Sequence, residues 1–339
     1  MALHTIGGPF FEDFYNGQIF GAPAVTVTEG FCSIYQSIIG DRMRLSLDHE
    51  LTKKVTGRDR GIVHPMLVIN IVNGQTTYAS QNVKGNLFYR GLIMQLPVFV
   101  NDTLTTTTKV VGLNQNKNKP GRDATGMVAL EIETLNQNNE CVMRYWRCPM
   151  IPCRDPSAET GHIDDFSEIP KSLSEEAILA SVPSTWNIEP LMNSSFEPSL
   201  PSFQQQDRVV VTGQDTVTGA TELVRLTGNI AFAHTDASRS YLNKRLVYGG
   251  HTISLAYAQV MRAIPDTVTL IGWQGCDHLG PVLEEDIIRS EFEVLNIKSA
   301  PSGGTLNELK VDTFAKRLNQ DDEYEERQVL DWRLVIWVG

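Results

Sequence analysis

Two stretches of the chain read as apolar helices. One runs from Met66 to Tyr78 and includes Met66, Leu67, Val68, Ile69, Ile71 and Val72; the other runs from His251 to Ala263. The first leaves little polar face, and a helix that is hydrophobic all round has no side to offer water, so it is expected to be enclosed by the rest of the fold. Each is followed by segments in which apolar and polar positions alternate, the period of a half-buried strand. These are Asp102 to Gly112, Gly126 to Leu135 and Glu140 to Ile151 after the first helix, and Asp286 to Ile297, Thr305 to Phe314 and Gln328 to Val338 after the second. Asn136-Gln137-Asn138-Asn139 supplies turn residues between two of them.

The same order appears twice because short patterns repeat. Ile39-Gly40-Asp41, ending at Leu47-Asp48, returns as Thr227-Gly228-Asn229, ending at Thr235-Asp236, an offset of 188. Gly61-Ile62-Val63-His64-Pro65 returns as Arg245-Leu246-Val247-Tyr248-Gly249, and Pro97 to Asp102 as Pro281 to Asp286, both offset by 184. Three matches in order at nearly one spacing indicate a duplicated unit. We therefore expect an α+β chain with an N-terminal domain over 1–155, a connector over 156–206 and a C-terminal domain over 207–339. The connector is rich in Ser, Pro, Glu and Asn without a sustained period, and one short helix is expected in it near Leu173 to Ala180. A central helix wrapped by antiparallel strands is the hotdog arrangement, so the expected fold is a double hotdog: two antiparallel sheets, each around its own apolar helix.

Composition narrows the class. The 339 residues suffice for two cores, and 41% hydrophobic with 20% charged residues is the balance of a soluble globular protein. The net charge of −11 argues against nucleic acid, which needs clustered Lys and Arg. No apolar run reaches the ~20 residues of a membrane span, and the first twenty residues lack a basic start followed by an apolar block. The expected address is cytoplasmic. Cys32, Cys141, Cys148, Cys153 and Cys276 are odd in number and lack CxxC spacing, so reduced thiols are expected, with neither disulfides nor a metal site.

The chain resembles the MaoC-like hydratases, and within them the mesaconyl-CoA hydratase and β-methylmalyl-CoA dehydratase group. In the first half the likeness rests on Phe10 to Phe14 with Gly17-Gln18, Val27 to Gly30, Asp102-Thr103-Leu104 and Lys109 to Leu113 with Gln115-Asn116-Lys117. In the second it rests on Asn229 to His234 and Arg245 to His251. The resemblance implies two hotdogs in one chain, an acyl-CoA substrate, no cofactor beyond the CoA of that substrate, and a monomer or homodimer. In (R)-specific enoyl-CoA hydratases of this superfamily an Asp follows a Gly, and a His five residues later helps it hold the catalytic water. Here the second half offers Asn229 and His234, and the first Asp41 and Ser46. Neither half has the full pair.

Hydration of an enoyl thioester needs an activated water at one alkene carbon, a proton for the other, and donors for the developing enolate oxygen. Imidazole can take and give a proton near neutrality; serine unaided cannot. His234 is thus the expected acid/base, with Asn229 orienting the water through its amide. The family places a glycine whose N–H binds the thioester oxygen at a helix start. Gly249 keeps that donor, whereas Pro65 has no N–H. Tyr248, Gly250 and His251 at the same helix entry, together with Tyr89 and Arg90, complete the candidate substrate-binding set, Arg90 as a partner for a carboxylate on a branched dicarboxylic acyl group. Packing or capping is the competing role for His64 and His251, and a tight helix entry for Gly249-Gly250. Arg239, Lys244 and Arg245 are candidates for the CoA phosphates. Two other readings stand beside a hydro-lyase: a non-catalytic acyl-CoA binder, favoured by the missing Asp, and a hotdog thioesterase using Asp236 or Asp41.

Overall fold

A computed structural model of the chain describes residues 3–117, 120–194, 202–319 and 321–339. Residues 195–201 of the expected connector lie outside the described residues. The first half opens with short strands β1 (Ile19–Gly21) and β2 (Val25–Thr26) and helices α1 (Glu29–Ile39), α2 (Arg44–Leu47) and α3 (His49–Thr56). The apolar helix α4 (Pro65–Gln75) follows, prolonged by a 3-10 turn at Thr76–Ala79, and then strands β3 (Gly85–Met94), β4 (Thr103–Gln115), β5 (Thr125–Leu135) and β6 (Cys141–Pro152). After α5 (Glu175–Ala180) and α6 (Glu189–Asn193) the sequence of elements recurs: β7 (Arg208–Val210), β8 (Asp215–Thr216), α7 (Ala220–Leu226), α8 (Phe232–Thr235), the apolar helix α9 (Gly249–Ala263), β9 (Thr267–His278), β10 (Ile287–Ser299), β11 (Thr305–Leu318) and β12 (Tyr324–Val338).

Every residue of α4 is buried, as its unbroken apolar pattern requires. Its start is fixed twice: Pro65 occupies the first turn, where a missing N–H costs nothing, and the Met66 N–H donates to His64 Nδ1 at 3.1 Å. The expected short connector helix is α5, capped by Ser174 Oγ, which accepts from the Ala177 N–H at 3.1 Å. Among the described residues no helix is long and apolar enough to cross a membrane.

Matched hydrogen bonds carry the repeat into three dimensions. Asp102 accepts from the Phe99 N–H at 2.9 Å and pairs with Arg60; Asp286 accepts from the Leu283 N–H at 2.8 Å and pairs with Arg317. Beside them Asn101 and Glu285 both sit at φ 71°. Gln75 and Gln259, at corresponding places on α4 and α9, each donate to a strand carbonyl, Leu104 O at 3.1 Å and Ile288 O at 2.9 Å. Such bonds satisfy buried backbone groups where the chain turns from helix to sheet.

The fold is the expected double hotdog, with one refinement: the two sheets are continuous. The strand order β1-β4-β5-β6-β3-β9-β12-β11-β10-β7 joins them through antiparallel pairing of β3 and β9. In that seam Tyr89 lies opposite Cys276 and Leu92 opposite Trp273. Because Trp273 and Cys276 are the counterparts of Tyr89 and Leu92 at the repeat spacing, the seam has the self-complementary form of a twofold interface. The α4 and α9 helices pack against each other on the inner face. Their close approach is allowed by Gly250, where a Cβ would fall 1.9 Å from Asn70 Oδ1; Gly74 of α4 instead admits the end of α7, an added Cβ there falling 1.9 Å from the Thr227 carbonyl oxygen.

Candidate active site

The close contact at Gly74 seats the loop that carries Asn229. The Ile230 N–H donates to Thr77 Oγ1 at 3.1 Å and the Phe232 N–H to the Gln81 carbonyl at 3.0 Å. A second-half loop is thereby pinned to the C-terminal end of the first-half helix. Between this loop, the start of α9 and the β3–β9 seam lies a cavity of about 300 Å³. Its wall brings together Asn229, His234, Tyr248 and Gly249 with Tyr89 from the first half.

His234 sits in α8, and its Nδ1 lies 2.9 Å from the Leu246 carbonyl oxygen. A carbonyl can only accept, so Nδ1 carries the hydrogen and Nε2 keeps its lone pair for the cavity. Burial pushes the His234 pKa down to about 4, against the smaller opposing effect of the Leu246 bond. The ring is therefore neutral at physiological pH and able to accept a proton. Asn229 is 4% exposed, and its Oδ1 accepts from the Ala231 N–H at 3.0 Å, which fixes the amide. Gly249 begins α9, where the first-turn N–H groups have no partner inside the helix and the helix dipole adds positive character. Tyr248 packs its ring 5.6 Å from that of His234.

Three of the expected binding residues lie elsewhere. Gly250 is buried against Asn70 and serves helix packing. His251 is wholly buried, neither ring nitrogen has a hydrogen-bond partner, and burial alone holds its pKa near 4. Arg90 follows Tyr89 in β3, and successive strand residues point to opposite faces. Tyr89 therefore faces the cavity while the Arg90 guanidinium lies 3.9 Å from the centre of the Phe88 ring, off the cavity wall. Of the phosphate candidates, Arg245 is engaged by Thr221 Oγ1 and Glu284.

The wall also holds residues that pattern alone did not single out: Thr77, Ser80, Arg147, Thr252 and His278. His278 ends β9, its Nε2 is enclosed without a partner, and burial pushes its pKa to about 4, with His234 adding to the effect. It lies directly over Gly249, where an added Cβ would be 2.6 Å from Nε2. Arg147 shares the inward parity of Met143, Tyr145 and Ile151 in β6, and a cation at such a position was the available signal. Among the described residues the wall contains no Asp or Glu. Asp236, a thioesterase candidate, instead accepts from the Ser238 N–H at 2.9 Å at the start of a 3-10 turn.

At the matching place the first half keeps only a remnant of about 20 Å³, whose lining includes Ile62, Pro65, Val68, Pro97 and Val98. Asp41 is fully buried, accepts from the Met43 N–H at 2.6 Å and lies 3.1 Å from His64 Nε2. The rings of Tyr35 and Tyr257 pack on His64 with centroids at 5.3 and 5.6 Å. Ser46 Oγ donates to its own neighbour, the Met43 carbonyl, at 2.8 Å. Most of the position that the cavity occupies in the second half is filled by packed side chains, Pro65 and Met94 standing where the second half has Gly249 and His278.

No protein-family model matches the chain. It is 31% identical over 329 residues to the β-methylmalyl-CoA dehydratase of Chloroflexus aurantiacus, spanning 94% of this chain and 90% of that protein. Its structure superposes on a conserved hypothetical double-hotdog protein of Mycobacterium tuberculosis with a TM-score of 0.90 and 38% identity, over 99% and 100% of the two chains. A MaoC domain dehydratase from Chloroflexus aurantiacus superposes with a TM-score of 0.83 and 27% identity, over 99% of each chain. Sequence and fold agree across nearly the whole length, and the chain belongs to the MaoC-like double-hotdog family of hydratases and dehydratases.

Proposed function

We propose that the protein is a hydro-lyase that adds water to a 2-enoyl-CoA, or removes it from a 3-hydroxyacyl-CoA, the acyl group being short and branched or dicarboxylic. The observation that carries this reading is the joint presence of a neutral imidazole, His234, and the free helix-start N–H of Gly249 on one cavity wall. In hydration, His234 Nε2 takes a proton from water as the oxygen bonds to the β-carbon. The same proton is then available for the α-carbon. The Asn229 amide orients the water, and the Gly249 N–H receives the enolate oxygen as charge develops there. Tyr248 and Tyr89 shape the apolar wall. We assign the chemistry to the second domain, 207–339, and regard the first, 1–155, as a copy whose site has closed, with 156–206 joining them.

The absence of carboxylates from the wall weighs against a thioesterase, which would need one to activate water against the carbonyl carbon. Asn229 in place of an acid favours a second reading, an acyl-CoA binder without turnover. The His234→Ala variant separates the two. It should abolish the change in enoyl absorbance while CoA-ester affinity, measured by calorimetry, stays within about threefold, a difference below 1 kcal/mol; Ser46→Ala should alter neither. Wild-type protein that binds thioesters but leaves a panel of them unchanged would establish the binder.

A further inference from the structure

His278 is the last residue of β9, and its ring lies across the start of α9: a Cβ added at Gly249 would fall 2.6 Å from Nε2 and 2.7 Å from Cε1. Since Cε1 is nearly as close as Nε2, the nitrogen's N–H axis passes beside the glycine and is not spent against it. A backbone nitrogen lies about 2.5 Å from its own Cβ, so His278 Nε2 and the Gly249 nitrogen stand within about 5 Å of each other. One oxygen at about 2.9 Å from each donor can bridge a pair up to about 5.8 Å apart. Both residues lie on the wall of the same cavity. His278 Nε2 has no partner, although buried polar nitrogens are nearly always bonded. The two imidazoles on this wall are prepared differently. His234 spends its Nδ1–H on the Leu246 carbonyl and keeps only a lone pair at Nε2, whereas among the described residues no hydrogen bond sets the tautomer of His278. Burial lowers the His278 pKa to about 4, and a neutral imidazole retains one N–H with which to polarise a carbonyl. In the first half the counterparts of Gly249 and His278 are Pro65 and Met94, both offset by 184. Proline has no N–H and methionine no side-chain donor, so the copy that lacks the imidazole of His234 lacks both donors together.

We infer that His278 is a further catalytic residue, whose Nε2–H joins the Gly249 N–H in receiving the thioester oxygen. This rests on the acyl-CoA reading of the cavity. His278 donates a hydrogen bond and keeps its proton throughout, so the proton taken from water by His234 is still the one available to the α-carbon. The carbonyl oxygen gains negative charge as water adds to the β-carbon, and two preorganised donors stabilise that charge more than they stabilise the bound ester. The roles of the two histidines are then opposite: a lone pair toward water from α8, and a hydrogen toward the carbonyl from the end of β9.

The test reads the bound carbonyl directly. Butyryl-CoA, labelled with carbon-13 at the thioester carbon, has no alkene to hydrate, and on binding to wild-type protein its carbonyl stretch should fall below its value in water. His278→Met, which copies the first half, should lose most of that shift, and His278→Gln, whose amide N–H can stand in for Nε2–H, should restore part of it. Nitrogen-15 spectra of the wild-type complex should show His278 protonated at Nε2 and bare at Nδ1, a readout that does not depend on any variant folding. In turnover of crotonyl-CoA, His278→Met should lower kcat on the order of 100- to 1,000-fold, the worth of one oxyanion donor, with KM within about threefold because the bond strengthens only in the transition state. His278→Gln should regain about tenfold or more of that loss. An unchanged carbonyl stretch in His278→Met, a proton on Nδ1 in the complex, or a folded His278→Gln as inactive as His278→Met would overturn the inference, the last because it would make the ring a proton-transfer group. A protein that polarises butyryl-CoA through His278 yet hydrates no enoyl ester would refute the hydratase reading while upholding the donor pair.

Discussion

Gly249→Ala tests whether the helix start is shaped by the imidazole above it. Gly249 begins α9 and is not among the glycines at positive φ. Alanine is conformationally acceptable there and in a helix interior is favoured over glycine by about 1 kcal/mol. The added Cβ, however, would lie 2.6 Å from His278 Nε2 and 2.7 Å from Cε1. Ordinary carbon contacts are about 3.5–4 Å, so the ring must move by roughly an ångström. Tyr89 packs on that ring with centroids 6.0 Å apart and resists the shift. Overpacking of this kind costs about 1–3 kcal/mol, so the substitution should be neutral to destabilising by about 2 kcal/mol. In a His278→Ala background the obstruction is gone, and the same change should stabilise by up to about 1 kcal/mol. The double-mutant cycle should therefore show coupling of about 1–3 kcal/mol. Urea unfolding of the four proteins, followed by tryptophan fluorescence and circular dichroism with coincident transitions, measures it. Additive single-mutant effects would show that His278 is not what demands glycine at this position.

Two further outcomes follow from the same cavity. Burial holds His234 near 4, below its ordinary value, and the neutral ring is the form that accepts a proton; kcat/KM should thus be flat from neutrality to about pH 5 and fall only as pH drops through about 4. An acid limb near 6.5 in a pH-rate profile would mean that the ring is solvated during turnover. Asn229→Asp keeps the oxygen that accepts from Ala231 and adds a proton-accepting carboxylate; kcat should rise about tenfold or more, and a folded variant with no gain would remove Asn229 from the water site.

Much of the architecture could be read in the sequence because it follows from solvent exposure. The run now seen as α4 lacks a polar face, and β4, β5, β10 and β11 alternate along their buried and exposed sides. Besides the short β1, β2, β7 and β8, two long strands escaped notice, β3 and β9, which are buried in the middle of the continuous sheet. Almost all of β9 is covered, so its residues have no polar period, and β3 is broken by register shifts and by Gly91 at φ 57°. That omission hid His278, the last residue of β9, and left the side of β3 on which Arg90 stands undetermined. Asn229, His234 and Gly249 were legible because each sits in a short repeated pattern. Arg147 was visible only as a charge on the inward parity of a strand, a signal that needs the strand's orientation before it means anything.

The outermost strands of the sheet, β1 and β7, have three residues each, whereas the central seam joins strands of ten and twelve. Short rims offer little for another chain to pair with. Cutting the polypeptide between its halves and separating them would bare a long ladder of unsatisfied amides and carbonyls on each piece, a template for aggregation. Covalent tethering keeps those two edges at high local concentration from the moment of synthesis. It also makes every molecule a matched pair of unlike partners, so the lining of the two matching positions is free to diverge.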